Sequence, residues 1–103
     1  MLKVVSLLKR KQGMSYEDFK KWALEEHPEL GKAIPGMRHY RMSVVREDNP
    51  DLPYDAVSEM WFDDEQARAE GFATDAGKAA AADAMEHCAT RTHLLTEEKV
   101  IIE

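Results

Sequence analysis

The stretch at residues 2–26 reads LKVVSLLKRKQGMSYEDFKKWALEE, and it decides the fold because it joins one strand to one helix. Residues 2–9 are rich in valine and leucine and end at a basic turn, which is typical of a buried strand. Ser15, with Asp18 three residues later, resembles a capping box, and helical spacing follows it. This stretch therefore predicts the first half of an α+β domain.

The rest of the chain continues the alternation of strands and helices. Period-2 segments predict strands over 37–47 and 54–62, separated by a polar loop. A second helical region is predicted in two pieces, 63–69 with Asp63 as its cap, and 77–88, which contains an alanine run. A last strand is expected within 90–102. The predicted order is β-α-β-β-α-β, which is that of the ferredoxin-like fold.

This fold gives an antiparallel sheet with both helical regions on one face. The 103-residue chain is expected to form one domain, residues 1–103, with no further element to cover the other face. A second copy of the sheet would cover it, so we expect a homodimer.

Composition argues against several classes of function. The formal net charge of −6 at pH 7 is unfavourable for a general binder of nucleic acid or of an anionic membrane. The apolar run at residues 1–8 is too short to cross a membrane and lacks the order of a signal peptide. The single cysteine, Cys88, rules out an intramolecular disulfide and a cysteine-based zinc site. We therefore expect a cytoplasmic protein without a bound metal.

Several stretches, in order and over nearly the whole chain, resemble the EthD-like family. They are LLKRK (7–11), GMS (13–15), EDFKKW (17–22), EHPEL (26–30), IPGMRHY (34–40), DAVSEMWFD (55–63) and TEE (96–98). The resemblance implies ferredoxin-like monomers whose sheets pair back to back in a dimeric α/β barrel. It also implies a small apolar ligand site between sheet and helices in each subunit.

Relatives on this fold include methylmuconolactone methylisomerase, polyketide cyclases and anthrone oxygenases, which often work without metal or organic cofactor. The resemblance therefore implies a cofactor-independent isomerase, cyclase, lyase or oxygenase that acts on an aromatic, polyketide-like or lactone-like substrate. A fold does not fix a function, so the reaction stays open at this point.

His27 is the first candidate catalytic residue. It lies on the apolar face of its helix with Ala23, with Phe19 near the edge, and Pro28 is expected to break or kink the helix there. An imidazole can transfer protons near neutral pH, and the resemblance matches His27 to the active-site histidine of methylisomerase-like and cyclase-like members. The alternative is a structural histidine at the helix break. Phe19 and Ala23 are expected to line the substrate site.

Tyr40 is the second candidate. Strand alternation puts Tyr40 and Met42 on one face and His39 on the other. The resemblance favours Tyr40 as inward-facing, where its hydroxyl would hold a carbonyl or enolate oxygen beside Met42; the alternative is a packed aromatic residue. The relatives carry a second histidine in the loop before the third strand, but residues 47–54 contain none. His39 is the nearest substitute at the substrate site, although it points away from Tyr40.

Glu59 is the third candidate, in the middle of the predicted third strand with Trp61 on its face. A carboxylate among apolar neighbours is costly unless it is paired or protonated, which makes Glu59 a candidate acid or base. The alternative is an ion pair with Arg38 or Arg41 across a dimer. Trp61 is a candidate wall for a flat substrate. Trp22 lies roughly 140° from His27 at about 100° per helical residue, so both face one pocket only if the helix is distorted.

Three functions stay open. The leading hypothesis is a cofactor-independent enzyme in which His27 is the general acid/base, Tyr40 orients the substrate oxygen and Glu59 sets the electrostatics. A non-catalytic ligand-binding accessory dimer is the second, and the missing loop histidine favours it. A haem-handling monooxygenase is the third, with His87 or His93 as the axial ligand.

Overall fold

The computed structural model describes all residues, 1–103. Its four strands form one antiparallel sheet in the order β2-β3-β1-β4, which confirms the predicted ferredoxin-like arrangement. No helix combines the length and the apolar character that a membrane span requires. The elements, in chain order, are β1 (Leu2–Arg10), α1 (Tyr16–Lys21), a π-helical turn (Trp22–Glu26), α2 (His27–Gly31), β2 (His39–Val44), β3 (Ala56–Phe62), α3 (Glu65–Ala73), α4 (Asp75–His87) and β4 (Cys88–Glu97).

One of the two predicted helix caps is confirmed and the other is corrected. The Ser15 hydroxyl accepts a hydrogen bond of 3.1 Å from the backbone N–H of Asp18, as the capping pattern predicts. The cap of α3 is Asp64, which accepts the capping N–H at 2.8 Å. The prediction that Asp63 is the cap is wrong, because its carboxylate is bound by the guanidinium of Arg38 instead.

Helix α4 runs directly into β4. The Thr74 hydroxyl accepts from the N–H of Gly77 at 3.1 Å, so α4 begins two residues before its predicted start. Cys88, predicted as the last helical residue, has extended backbone and begins β4. At its other end, β4 stops at Glu97, before the apolar residues 100–102, which are exposed.

The helix changes its hydrogen bonding just before Pro28. Proline has no N–H, and its ring would collide with the carbonyl four residues earlier. The chain forms a π turn at Trp22–Glu26, in which the N–H of His27 bonds to the carbonyl of Trp22. Residues five apart are hydrogen-bonded neighbours in a π turn, so His27 comes onto the same side as Trp22. The predicted break is this distortion of the helix.

The helices cover only one face of the sheet. On β1, Val4, Ser6 and Leu8 are buried, whereas Val5 and Leu7 on the alternate face are only partly buried. We call the uncovered side the open face. Alternate residues of all four strands point to this side. They include Lys3, Val5, Leu7, His39, Arg41, Val57, Glu59, Trp61 and Leu94.

Candidate active site

A cavity of about 470 Å³ lies between the helices and the buried face of the sheet. That volume is within the range of small-molecule sites. Eleven of its 18 lining residues are hydrophobic, so the site suits a mainly apolar molecule. The lining side chains that can hydrogen-bond are Ser6, His27, Tyr40, Ser58, Arg68, Arg91 and His93.

His27 lines this cavity and is held by a carboxylate behind it. Its Nδ1 lies 2.8 Å from Oδ2 of Asp83, on α4, and the residue is only 8% exposed. An ionised carboxylate can only accept, so Nδ1 donates to it in the neutral ring. The other ring nitrogen, Nε2, is then the unprotonated one. The arrangement leaves Nε2 as the atom of His27 that can take a proton.

The same carboxylate oxygen fixes a tryptophan beside the histidine. Trp22 Nε1 donates to Oδ2 of Asp83 at 2.9 Å, and the rings of Trp22 and His27 lie 4.7 Å apart. His87 stacks on Trp22 with centroids 4.6 Å apart and donates from Nδ1 to the carbonyl of Asp83 at 2.7 Å. His27 therefore sits in a rigid aromatic cluster that limits how its ring can rotate.

Tyr40 lines the cavity from β2. Burial raises the pKa of its phenol to about 12, so the hydroxyl keeps its proton at neutral pH and can donate a hydrogen bond to a ligand oxygen. Gly31 on α2 makes room for this ring, because a Cβ there would lie 2.8 Å from Tyr40 Cε2. Met42, one strand repeat further, also lines the cavity, so the structure brings Met42 together with Tyr40 and His27.

A second histidine reaches the cavity from β4. His93 Nδ1 is hydrogen-bonded to Ser6 Oγ at 2.7 Å. His93 is exposed at the edge of the sheet, but partial desolvation of its ring lowers its pKa below the ordinary value, and the positive charges of Arg91 and Arg68 add to this effect. The sequence analysis named His93 only as a haem ligand, so its place in the cavity wall was not predicted.

Three predicted site residues lie on the open face and do not reach the cavity. Glu59 is paired there with Lys3 at 2.7 Å. Trp61 is held between the cations of Lys3 and Arg41, and His39 meets its edge. The prediction that Glu59, Trp61 and His39 share a site with His27 is wrong in placement, since alternation directs β3 residues 57, 59 and 61 away from the helices.

Phe19 and Ala23 are also absent from the cavity wall. Both are fully buried, and they pack with Trp22 and Leu8 in the core under α1. Their helix turns their side chains toward the β3 and α4 side of the core, where Ala56 and Ala84 lie. They support the helix that carries His27, and they do not line the ligand site.

Asp83 is the site residue that the sequence analysis missed. It falls in the spacing i, i+3, i+4, i+7 with Ala80, Ala84 and His87, so it lies along the side of α4 that carries the buried alanines. An acidic residue on the inner stripe of a helix was the available signal, because such a carboxylate requires a partner.

A family model for the EthD domain matches residues 11–91. The protein belongs to the EthD family. No curated protein sequence matches it. An EthD family protein from Bacillus halodurans has 25% identity and a TM-score of 0.80, with coverage of 96% of this chain and 99% of the other.

Two other solved structures share the fold at lower identity. A dimeric ferredoxin-like protein of unknown function from Thermobifida fusca has 17% identity and a TM-score of 0.75, over 92% of this EthD chain and 88% of its own. SnoaB, a cofactor-independent oxygenase from Streptomyces nogalater, has 16% identity and a TM-score of 0.69, over 99% and 97%. These two likenesses show the fold alone. Membership of the EthD family does not identify the substrate.

We expect Tyr40 to ionise late. In the unfolded chain its phenol titrates near the ordinary 10.0, whereas in the folded protein its pKa is about 12. The folded state therefore keeps a proton that the unfolded state loses, and this contribution to stability is present below pH 10 and lost as pH rises toward 12. Phenolate absorbance should show a late transition that Tyr40→Phe abolishes and Tyr54→Phe retains. Ionisation of Tyr40 near 10.0 in the folded protein would contradict its burial.

Proposed function

We propose that this EthD protein is a cofactor-independent enzyme that removes and returns a proton next to the carbonyl group of a planar, largely apolar substrate. The observation that carries the proposal is the pair His27–Asp83, at 2.8 Å, in the wall of an apolar cavity. A carboxylate that fixes one ring nitrogen leaves the other poised as a base, which is the arrangement that general acid–base catalysis needs.

The proposed step uses two side chains on the substrate. His27 Nε2 takes a proton from the carbon beside the carbonyl, and Asp83 stabilises the imidazolium that forms. The C–H electron pair moves toward the carbonyl, which becomes an enolate oxygen, and the protonated Tyr40 hydroxyl donates a hydrogen bond to it. Returning the proton to another carbon gives isomerisation. Attack of the carbanion on a second carbonyl gives cyclisation.

The apolar wall supports the choice of substrate class. Val4, Leu8, Ile34, Met60 and Phe72 offer hydrophobic surface to a ring system of aromatic, polyketide or lactone type. The same carbanion would react with molecular oxygen, and SnoaB, which shares the fold, is described as a cofactor-independent oxygenase. Isomerase, cyclase, lyase and oxygenase outcomes thus share one first step, proton abstraction, which is the step to test.

We also propose that the protein works as a homodimer that pairs two open faces. Val5, Leu7 and Val57 are only partly buried in one chain, and Leu94 is 46% exposed. Burial of such residues against a second copy removes apolar surface from water. The Thermobifida fusca protein, which shares the fold, is dimeric. The proposed arrangement keeps the cavity on the helical side, away from the interface.

Proton abstraction can be measured without knowing the natural substrate. With 2-tetralone in D₂O, we expect the protein to accelerate deuterium uptake at the carbons beside the carbonyl, followed by proton NMR. His27→Ala should lower the catalysed rate by about 10²- to 10⁴-fold, the usual contribution of a general base. Tyr40→Phe and Asp83→Asn should lower it by smaller factors, through loss of the oxyanion donor and of the ring orientation.

His39→Ala is the matched control, since His39 lies on the open face and should leave exchange unchanged. Full exchange by His27→Ala would sink the assignment of the base. Binding of 2-tetralone without any acceleration by the wild-type protein would instead favour the non-catalytic ligand-binding alternative. A sharpened and shifted Soret band on addition of haem, relative to free haem, would favour the haem-handling alternative, with His93 as a cavity histidine available to it.

The dimer is tested by a charge placed on the open face. Leu94→Asp should convert a dimer into a monomer in light scattering coupled to size-exclusion chromatography, because burying an unpaired carboxylate is costly. Met85→Asp is the control, since Met85 is 65% exposed on the outside of α4. A dimer that survives Leu94→Asp but not Met85→Asp would place the interface on the helices.

A further inference from the structure

The cavity wall contains arginines and histidines but no acidic residue. The wall contains Arg68, Arg91, His27 and His93, and it contains no aspartate or glutamate. This occurs in a chain with a formal net charge of −6. A cavity of one sign, walled by low-dielectric side chains, concentrates ligands of the opposite sign.

The two arginines differ in what they bind. Arg68 donates two hydrogen bonds to the Glu65 carboxylate, at 2.7 and 2.6 Å, so its charge is compensated within α3. Arg91 is partly buried on β4 and makes no ion pair and no side-chain hydrogen bond within the chain. A guanidinium keeps its charge at neutral pH, and no carboxylate of the chain pairs with that of Arg91, so Arg91 is the cavity arginine left for a ligand.

Arg91 is not available to the proposed dimer partner. Its neighbour across the strand pair is Leu8, a buried residue of the helical side, so Arg91 shares that side of the sheet and not the open face. The carboxylate of Asp83, beside the cavity, does not pair with Arg91 either. Its Oδ2 accepts from the N–H groups of Trp22 and His27. Neither the proposed interface nor Asp83 therefore compensates the charge of Arg91.

We infer that the ligand of the cavity carries a carboxylate, which the Arg91 guanidinium binds, on an otherwise apolar body. A carboxylate accepts two parallel N–H bonds from one guanidinium, which gives both affinity and orientation.

The two ends of the ligand are set by the order of the strands. Tyr40 and Arg91 come from β2 and β4, the two edge strands, with β3 and β1 between them. The inference deepens the proposed function and rests on it only for the end of the ligand that reacts: the carbonyl lies near Tyr40 and the carboxylate near Arg91. His93 lies on the same strand as Arg91, two residues further on, and its hydrogen bond to Ser6 of β1 places it at the carboxylate end of the proposed ligand.

The test compares two planar probes of the same shape, 2-naphthoate and 2-naphthamide, by isothermal titration calorimetry. The wild-type protein should prefer the naphthoate by about tenfold or more, as expected for a hydrogen-bonded charge pair. Arg91→Gln should abolish this preference by weakening naphthoate binding alone. Arg91→Lys, which keeps the charge but not the two-pronged geometry, should restore part of it. The preference should also weaken as salt is raised.

Arg41→Gln is the matched control, because Arg41 lies over Trp61 on the open face and should not change the preference. Equal affinity of the wild-type protein for the two probes, no binding of naphthoate, or a preference that persists in Arg91→Gln would overturn the inference. Circular dichroism checks that each variant is folded, and Arg91→Lys gives the answer if Arg91→Gln is not. Because calorimetry measures binding and not proton exchange, failure here leaves the His27 assignment standing, and failure of that assignment leaves this result standing.

Discussion

The Oδ2 atom of Asp83 accepts hydrogen bonds from His27 Nδ1 at 2.8 Å and from Trp22 Nε1 at 2.9 Å. The two donors lie on one side of the helix only because the π turn at Trp22–Glu26 adds a residue before Pro28. The acceptor lies on α4, 56 residues away from His27. Removing this carboxylate would leave two partly buried N–H donors unsatisfied, at a cost of about 1–3 kcal/mol each. The bond thus joins the two helical regions and orients the candidate base at once.

The cavity exists because the side of α4 that faces it is built from small residues. Ala80, Ala81 and Ala84 line the cavity opposite the sheet, and any larger side chain at these positions would fill it. The alanine run therefore has two roles, a high helix propensity and the preservation of ligand volume. Gly31 serves the same purpose on α2, where it lets the ring of Tyr40 approach. The polar groups then stand at the edges of an apolar space that small residues keep open.

Much of the fold could be predicted from local signals. The Ser15 cap, the apolar β1 and the proline-induced distortion each depend on neighbours in sequence, and the structure contains all three. The site was harder to predict, because it depends on partners distant in sequence. Tyr40 was assigned to the face that proved to line the cavity, but Glu59 was assigned to the wrong face. In a strand, a change of one residue in phase exchanges the two faces, and only the packing of helices decides which one is inside.

His93 and Asp83 are site residues that the sequence did not indicate, again because their partners are distant in sequence. Neither lies in a recognisable motif, and each acquires its role from a residue more than 50 positions away, Ser6 or His27. The family resemblance indicated the fold and pointed to His27, which lines the cavity. It gave no indication of the β4 residues. Pairings of this kind follow from the order of the strands, in which β1 lies beside β4.

Asp83 fixes the tautomer of His27 in the proposed mechanism, which leaves Nε2 as the base. Nitrogen-15 NMR of the imidazole rings, under conditions in which His27 is neutral, measures this directly. We expect a protonated Nδ1 and an unprotonated Nε2 in the wild-type protein, and a loss of that preference in Asp83→Ala. A neutral ring that carries its proton on Nε2, or a tautomer that does not respond to the loss of Asp83, would contradict it.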